Sequence, residues 1–382
     1  MAAPTGRAAR ILGRKTKTVS NTIHSLIYSV DTNKETGVVN FQLKKNKQRD
    51  FCIYVIDEAS MLPANKESTE GDMFQVDDSL LNHLVQFLKA GNPKNKVIFL
   101  GDRNQLPPIN ETDSLALNPN YLRKKFNWQG SFHYLTEVKR QVDGSYILKN
   151  ANTYREAIDN KEYIHPQIEA YRHRNIFVAA KEFALRFNED NPDEAIAIGI
   201  SHKANRLFND QVRKHLFGNT VRLIEPGDLM MVVNNWTRNE QILYNGDYVI
   251  IEEINLQQAE EVAGLHFAPA KLKARSLNGS EQTIEDYILL EILINKKPEL
   301  DAATEKNLRA ERFRKNKQYS ESGMPEHDRY VGALRLSYGY AITCNKAQGG
   351  EWEKVYVNTF RVKDLKWKYT AITRAKDDLE LF

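Results

Sequence analysis

Phe51-Cys52-Ile53-Tyr54-Val55-Ile56-Asp57-Glu58-Ala59-Ser60 is an apolar run that ends abruptly in two carboxylates. A short continuous apolar stretch bounded by polar residues predicts a strand buried on both faces, as in a parallel sheet. Residues 96–100 (KVIFL), which end at Gly101-Asp102, have the same texture, as do residues 195–200 (AIAIGI) and 353–357. Between the first two runs, Leu80, Leu81, Leu84, Val85 and Leu88 recur at helical spacing, so residues 77–90 are predicted to form a helix. Strands alternating with helices predict an α/β fold with parallel sheets covered on both faces. Ligands of such sheets gather at the carboxyl ends of the strands, and the charged residues stand at those ends here.

Residues 228–294 read differently. Strand-like stretches at 229–233, 247–254, 271–276 and 283–294 are punctuated by Asn245-Gly246 and Asn278-Gly279, which are hairpin-turn signals. This predicts a small antiparallel, barrel-like insert. Residues 300–319 then mix acid and base at helical spacing and are expected to lie exposed.

The chain has 382 residues, enough for two or three domains. It is 41% hydrophobic and 27% charged, the texture of a globular protein. No apolar run reaches the roughly 18 residues of a membrane span, and residues 1–12 lack the apolar core of a signal peptide. Cys52 and Cys344 each lie within an apolar stretch and read as buried thiols of a reducing compartment, so a cytoplasmic location is expected. The net charge of +4 is unremarkable, but its distribution is uneven. Basic residues cluster at Arg7, Arg10, Arg14, Lys15 and Lys17, at Lys44, Lys45, Lys47 and Arg49, and from Lys306 to Lys317. Each cluster fits either a phosphate-tracking groove or a solvated surface.

Adjacent carboxylates at a strand end suit phosphoryl-transfer chemistry: Asp57 to hold a divalent metal, Glu58 to polarise an attacking water. A helix-start acid pair stabilised by the helix dipole would read the same way. Gly101-Asp-Arg-Asn-Gln105-Leu-Pro-Pro108 follows the next strand. Its glycine permits a sharp turn and its prolines stiffen the exit. That rigidity sets Gln105 near the carboxylates, where it can sense a terminal phosphate.

The order of DEAS, GDxxQLPP, Leu135-Thr-Glu-Val-Lys-Arg140-Gln, Tyr340-Ala-Ile-Thr-Cys-Asn-Lys-Ala-Gln-Gly349 and Tyr369-Thr-Ala-Ile-Thr-Arg374-Ala-Lys resembles superfamily 1 helicases of the RecD/Dda group. Ala3-Pro-Thr-Gly-Arg-Ala-Ala-Arg10 and Thr22-Ile-His24 are similar to that group's DNA-contact motifs. The resemblance implies two RecA-like parallel-sheet motor domains, the first truncated at its N-terminus, with the antiparallel insert in the second. The expected boundaries are 1–142 for the first domain, 143–227 with 330–382 for the second, and 228–329 for the insert with its charged helix. ATP and Mg²⁺ would bind between the motor domains. Asp57 would be the metal ligand, Asp57, Glu58, Gln105, Arg140 and Arg374 the candidate catalytic set, and Gly349 and Glu351 further nucleotide contacts.

The implied track for single-stranded DNA comprises Pro4, Thr5, Gly6, Arg7 and His24 in the first domain, and Ser201, Lys203, Thr343, Lys346 and Gln348 in the second. His202 and Asn205 belong to the same contact set, whereas Trp236 and Tyr244 read as core. Asn345 stands where many relatives have histidine, and Gly350 where serine is common. Residues 28–50 fall where the group carries a strand-separating hairpin, with Thr36-Gly37 as its candidate turn.

The resemblance implies ATP-dependent translocation, 5′ to 3′, on single-stranded DNA and at duplex junctions, by a chain expected to be monomeric. The family's phosphate-cradling GxxGxGKT occurs nowhere in the 382 residues. Met1-Ala2-Ala3 reads as the end of a buried strand, so an upstream P-loop segment is expected, and without it an open sheet edge and a chain inactive as an ATPase by itself. The alternatives are a non-hydrolysing module that binds single strands or a partner, and an RNA helicase of the same superfamily.

Overall fold

The computed structural model describes residues 1–33, 38–66, 74–135, 145–162, 166–192, 194–275, 281–295 and 297–382. Arg140, Thr36-Gly37 and Asn278-Gly279 lie outside them.

Ile53–Ile56 is an interior strand of a four-stranded parallel sheet, ordered Asn21–Thr22, Ala2–Ala3, Ile53–Ile56, Lys96–Phe99. Ala2 and Ala3 are buried, as a strand end requires. One face of the sheet packs on the Leu80–Gly91 helix, whose Leu81, Leu84 and Leu88 point into the core with Ile56, Val97 and Phe99. That helix starts where Ser79 accepts a bond from the Asn82 N–H, and it ends where Arg49 donates to the Ala90 and Gly91 carbonyls. The opposite face is not covered by the described residues: Ile53 is 57% exposed and Ile98 46%. The expectation of cover on both faces therefore fails for this sheet. Lys96–Phe99 is also its last strand among the described residues. On an open face a lysine is better solvated than isoleucine. Ile98→Lys should leave stability within about 0.5 kcal/mol and raise solubility, whereas Ile56→Lys should prevent folding. Urea midpoints and soluble yield check both.

The second parallel sheet is ordered Ala341–Thr343, Ala195–Gly199, Trp352–Val357, Ala375–Leu381, Tyr171–Arg172. Two helix pairs enclose it, Tyr146–Asp159 with Leu365–Ile372, and Ile176–Arg186 with His202–Phe217. The architecture is thus α/β with parallel sheets, as expected.

A curled antiparallel sheet joins Glu260–Val262, Leu265–Arg275, Tyr248–Ile254, Leu229–Val232 and Leu336–Tyr338, with Glu281–Leu289 paired to Leu265–Arg275. Asn245-Gly246 does form a turn, closed by the Asp247 N–H on the Tyr244 carbonyl at 2.9 Å. The strand-like stretches on either side of it pair antiparallel, Leu229–Val232 with Tyr248–Ile254, and the latter also pairs with Leu265–Arg275. Gly246 has a positive φ of 95° but Asn245 does not, so the connection is not the tight two-residue turn with both residues left-handed.

The charged helix Ala302–Lys315 is not the exposed element its composition suggested. Glu305 is buried between Arg309 and Arg335, and Arg312 pairs with the fully buried Asp328. Burial raises the Glu305 pKa, but Arg335 and Arg309 together outweigh it and hold the carboxyl below its ordinary value. Arg309 and Arg312 are therefore structural and not part of a phosphate groove. Among the described residues no helix is long and apolar enough to cross a membrane.

Candidate functional site at the cleft between the two sheets

Asp57 and Glu58 sit where Ile53–Ile56 ends. The Asp57 N–H donates to the Ala2 carbonyl and the Ala59 N–H to the Leu100 carbonyl, so three strand ends are tied together. Glu58 adopts left-handed backbone (φ 49°), a conformation that costs about 1 kcal/mol or more outside glycine and is typical of functional turns. Its N–H donates to Asp57 Oδ1. Gly101 makes the close approach possible, since a Cβ there would stand 2.9 Å from the Ser60 nitrogen.

The Gly101–Gln105 loop is held from the second domain. The Tyr369 hydroxyl donates to Asp102 Oδ2 at 2.6 Å, and Arg155 Nη2 donates to that hydroxyl at 3.3 Å. Thr370 Oγ1 accepts from the Leu106 N–H at 2.8 Å, and Gln348 Nε2 donates to the Leu106 carbonyl at 2.9 Å. Gln105 is pinned beside these bonds, 9% exposed, with a buried Oε1 that has no hydrogen-bond partner. An orphaned buried acceptor at a strand end fits a bound ligand or water. Gly349, at φ 74°, lies against Ala8 and near Glu58 Cγ. The structure thus sets Gly349 near Glu58, with Asp57 adjoining it, and Gln348 bonds across the cleft to the loop that carries Gln105.

Arg374 stands behind this loop, 1% exposed. It donates to the carbonyls of Thr370 (3.0 Å) and Gly350 (3.2 Å) and to Thr373 Oγ1 (3.1 Å). Glu351 lies 3.7 Å from Lys15. The described residues contain no cluster of three His, Cys, Asp or Glu side chains able to hold a metal alone. Mg²⁺ does not need one, because it takes one or two carboxylates and completes its shell with phosphate and water. Asp57 suits that role. The GxxGxGKT motif that would cradle the phosphates does not occur in the 382 residues.

The DNA-contact candidates form two groups. In the first domain, Thr5 Oγ1 accepts from the Ala8 N–H and caps the Gly6–Thr16 helix, with Pro4 just before the cap. Gly6 packs on Tyr244, and the Arg7 guanidinium lies 4.6 Å from the Trp352 ring and 5.4 Å from the Tyr248 ring. His24 packs near Tyr28 and Phe41, and burial lowers its pKa. In the second domain, Ser201 Oγ accepts from the Ala204 N–H at the start of the His202–Phe217 helix, with Lys203 exposed beside it. His202, Asn205, Thr343 and Lys346 line one cavity there. Burial lowers the Lys346 pKa, and its Nζ donates to Asn245 Oδ1 at 3.0 Å. Trp236 is core, with its indole N–H on Asp286.

Sequence reasoning missed Tyr369, Thr370 and Arg155, and also the pair Arg10–Asp247 at 2.7 Å. Tyr369 and Thr370 lay within a motif already singled out, where only the arginine drew notice. Arg155 and Asp247 carried no local signal.

Residues 338–381 match the family profile of the UvrD-like helicase C-terminal domain, and residues 1–175 match an AAA domain. The ATP-dependent RecD2 DNA helicase of Deinococcus radiodurans is 23% identical over 399 residues, covering 99% of this chain and 42% of that protein. These matches support a likeness to superfamily 1 helicases of the RecD-like kind. An uncharacterized protein of Methanocaldococcus jannaschii is 24% identical over 98% of this chain and 33% of its own length. The chain spans less than half the length of the curated relatives it matches. Among solved structures, the Bacteroides Pif1 helicase in complex with ADP-AlF3 and single-stranded DNA aligns over 100% of this chain and 81% of that one, at 16% identity and a TM-score of 0.49. The Candida albicans Pif1 helicase aligns over 100% and 83%, at 15% identity and a TM-score of 0.49.

Proposed function

We propose that this chain is the strand-gripping and water-positioning part of an ATP-driven DNA motor, with single-stranded DNA tracked across both sheets. The observation that carries this is the three-bond clasp on the Asp102–Leu106 loop. Tyr369, Thr370 and Gln348 of the second domain hold the loop that positions Gln105 beside Asp57 and Glu58. Any change at the carboxylates is thereby felt by the helix that carries Arg374 and by the turn after Lys346. Arg140, Arg374, Gly349 and Glu351 complete the proposed nucleotide side. Asp57 would hold Mg²⁺, which supplies charge neutralisation at phosphate when bound. Pro4, Thr5, Gly6, Arg7, His24, Ser201, Lys203, Thr343 and Lys346 form the proposed track, and movement 5′ to 3′ with unwinding at duplex junctions is the activity of the full motor. The proposed units are 1–142, 143–227 with 330–382, and 228–329. The absence of a phosphate cradle favours a second reading, in which the chain binds single strands without turning over ATP.

Binding is the shared element and is tested first. Oligo-dT should bind at low salt and more tightly than blunt duplex, with a log–log salt slope of about −0.7 per phosphate neutralised. Lys203→Ala and Lys346→Ala should each flatten the slope by about 0.7. Fluorescence anisotropy reads both. Binding that ignores salt, or slopes unmoved by either change, would remove these lysines from the track.

A further inference from the structure

A single turn of the chain engages cations from both halves of the proposed track. Tyr244 to Tyr248 is a stiff segment: the Tyr244 N–H donates to Asp247 Oδ2, the Asp247 N–H to the Tyr244 carbonyl, the Asn245 N–H to Asn235 Oδ1, and the Gly246 N–H to the Val232 carbonyl. From this base it reaches in two directions. Toward the first domain, Asp247 Oδ2 accepts from Arg10 Nη2 at 2.7 Å, and the Tyr244 ring lies 4.6 Å from the Arg10 guanidinium. The Tyr248 ring and Trp352 both lie against Arg7. Toward the second domain, Asn245 Oδ1 accepts from Lys346 Nζ at 3.0 Å.

The chemistry of this contact has a counterpart. A single strand of nucleic acid offers negatively polarised oxygens for arginine and lysine, alternating with flat π faces for guanidinium groups. The turn offers a carboxylate, an amide oxygen and two aromatic rings within five residues. The fit is close as well as complementary. A Cβ on Gly6 would stand 3.0 Å from Tyr244 Cβ, so no strand can pass between the Gly6–Thr16 helix and the turn while they are docked.

We propose that the Tyr244–Tyr248 turn occupies the single-strand path of the DNA-free protein as an internal stand-in for nucleic acid, and that single-stranded DNA binds by displacing it from Arg7, Arg10 and Lys346. The binding surface is then Arg7, Arg10 and Lys346, with Asp247 as the competing anion. This rests on the single-strand reading above and adds a gate to it.

Two experiments test the gate. Asp247→Asn keeps an oxygen for the Tyr244 N–H but removes the charge facing Arg10. It should tighten oligo-dT binding about fivefold or more, the scale of a typical coupling between competing contacts. Its salt slope should steepen by about 0.7 as Arg10 is freed for phosphate. Tyr244→Ala should also tighten binding. Affinity that is unchanged or weaker in both variants overturns the proposal and makes the turn part of the track instead. In the second experiment, Gly6→Cys and Tyr244→Cys are combined with Cys52→Ser, because the short Cβ separation is close to disulfide range. The oxidised protein should bind oligo-dT at least tenfold more weakly than the same protein reduced with dithiothreitol. Equal affinity in the two redox states, or failure of the bridge to form, overturns the gate. If the unaltered chain and every variant fail to bind at low salt, the single-strand reading falls as well. If only the differences among them are missing, the gate alone falls.

Discussion

Purified residues 1–382, mixed with ATP, Mg²⁺ and oligo-dT, are expected to release phosphate no faster than a protein-free control. Phosphoryl transfer asks little covalent chemistry of a protein and a great deal of positioning and charge stabilisation. The proposed parts that would act on water and on a terminal phosphate are present: Asp57, Glu58, a buried Gln105 and the Gly349–Gly350 loop. It lacks the part that fixes the phosphates in place, since backbone N–H groups and a lysine of the GxxGxGKT type are not in its sequence. Lys346 cannot substitute, because it is committed to Asn245 at the other side of the Gly349 loop. Proximity in well-oriented reactions is worth about 7–11 kcal/mol, so losing it removes turnover by many orders of magnitude. Single-strand binding should persist in the same preparation, which separates a missing cradle from an unfolded protein. Phosphate release at several per second that Glu58→Gln abolishes would sink this expectation and place the phosphate-holding groups elsewhere in the chain.

How far the sequence could be read depended on whether the stabilising partner was local. Residues 195–199 declare themselves because an interior parallel strand needs apolar side chains on both faces, and residues 53–56 and 96–99 carry the same apolar texture although one face of their sheet is open among the described residues. Ala375–Leu381 belongs to the same class of strand yet does not look like one, since its sequence is AKDDLEL. Its Asp378 and Glu380 are neutralised by Lys354 on the adjacent strand, and His173 closes on Glu380 from beyond. No window of sequence contains that pairing. The charged helix at 302–315 misled for the same reason: the partner of Glu305 that matters most, Arg335, lies far along the chain. The Asn245-Gly246 turn and the antiparallel pairing of Leu229–Val232 with Tyr248–Ile254 were legible, whereas the backbone of the connection was not, since Asn245 does not take the left-handed conformation of a tight two-residue turn.

The candidate site divides along the same line. Asp57, Glu58 and Gln105 could be chosen from strand ends and turn chemistry, and ordered motifs identified the rest. What those residues touch could not be read. Gln348 was expected to face nucleic acid and instead bonds the Leu106 carbonyl across the cleft. Arg7 and Arg10 were counted as free basic charge, and aromatic rings with one carboxylate hold them. Contacts between domains depend on the shape of both surfaces, and neither shape is written in a motif.

Arg374→Ala is expected to destabilise the second domain by about 3–5 kcal/mol, which would lower its urea midpoint by about 1 M or more. The guanidinium is 1% exposed and bridges the end of the Leu365–Ile372 helix to the Gly350 carbonyl. Alanine leaves the Gly350 carbonyl without the guanidinium and the Thr370 carbonyl with Thr373 Oγ1 as a donor, and a group left buried and unpaired costs about 1–3 kcal/mol. It also opens a void where the side chain packed, which adds a penalty the surrounding structure relaxes only in part. Arg374→Lys should recover less than half of the loss, because an ammonium cannot span two carbonyls and a hydroxyl as a planar fork does. The result bears on function as well as folding. An arginine that reaches only toward a phosphate would leave stability within about 0.5 kcal/mol when removed. One that also anchors the Gly349–Gly350 loop ties the shape of the nucleotide side to the integrity of the domain behind it. A midpoint unchanged by Arg374→Ala would show that the buried bonds contribute little and that its role lies entirely in the open cleft.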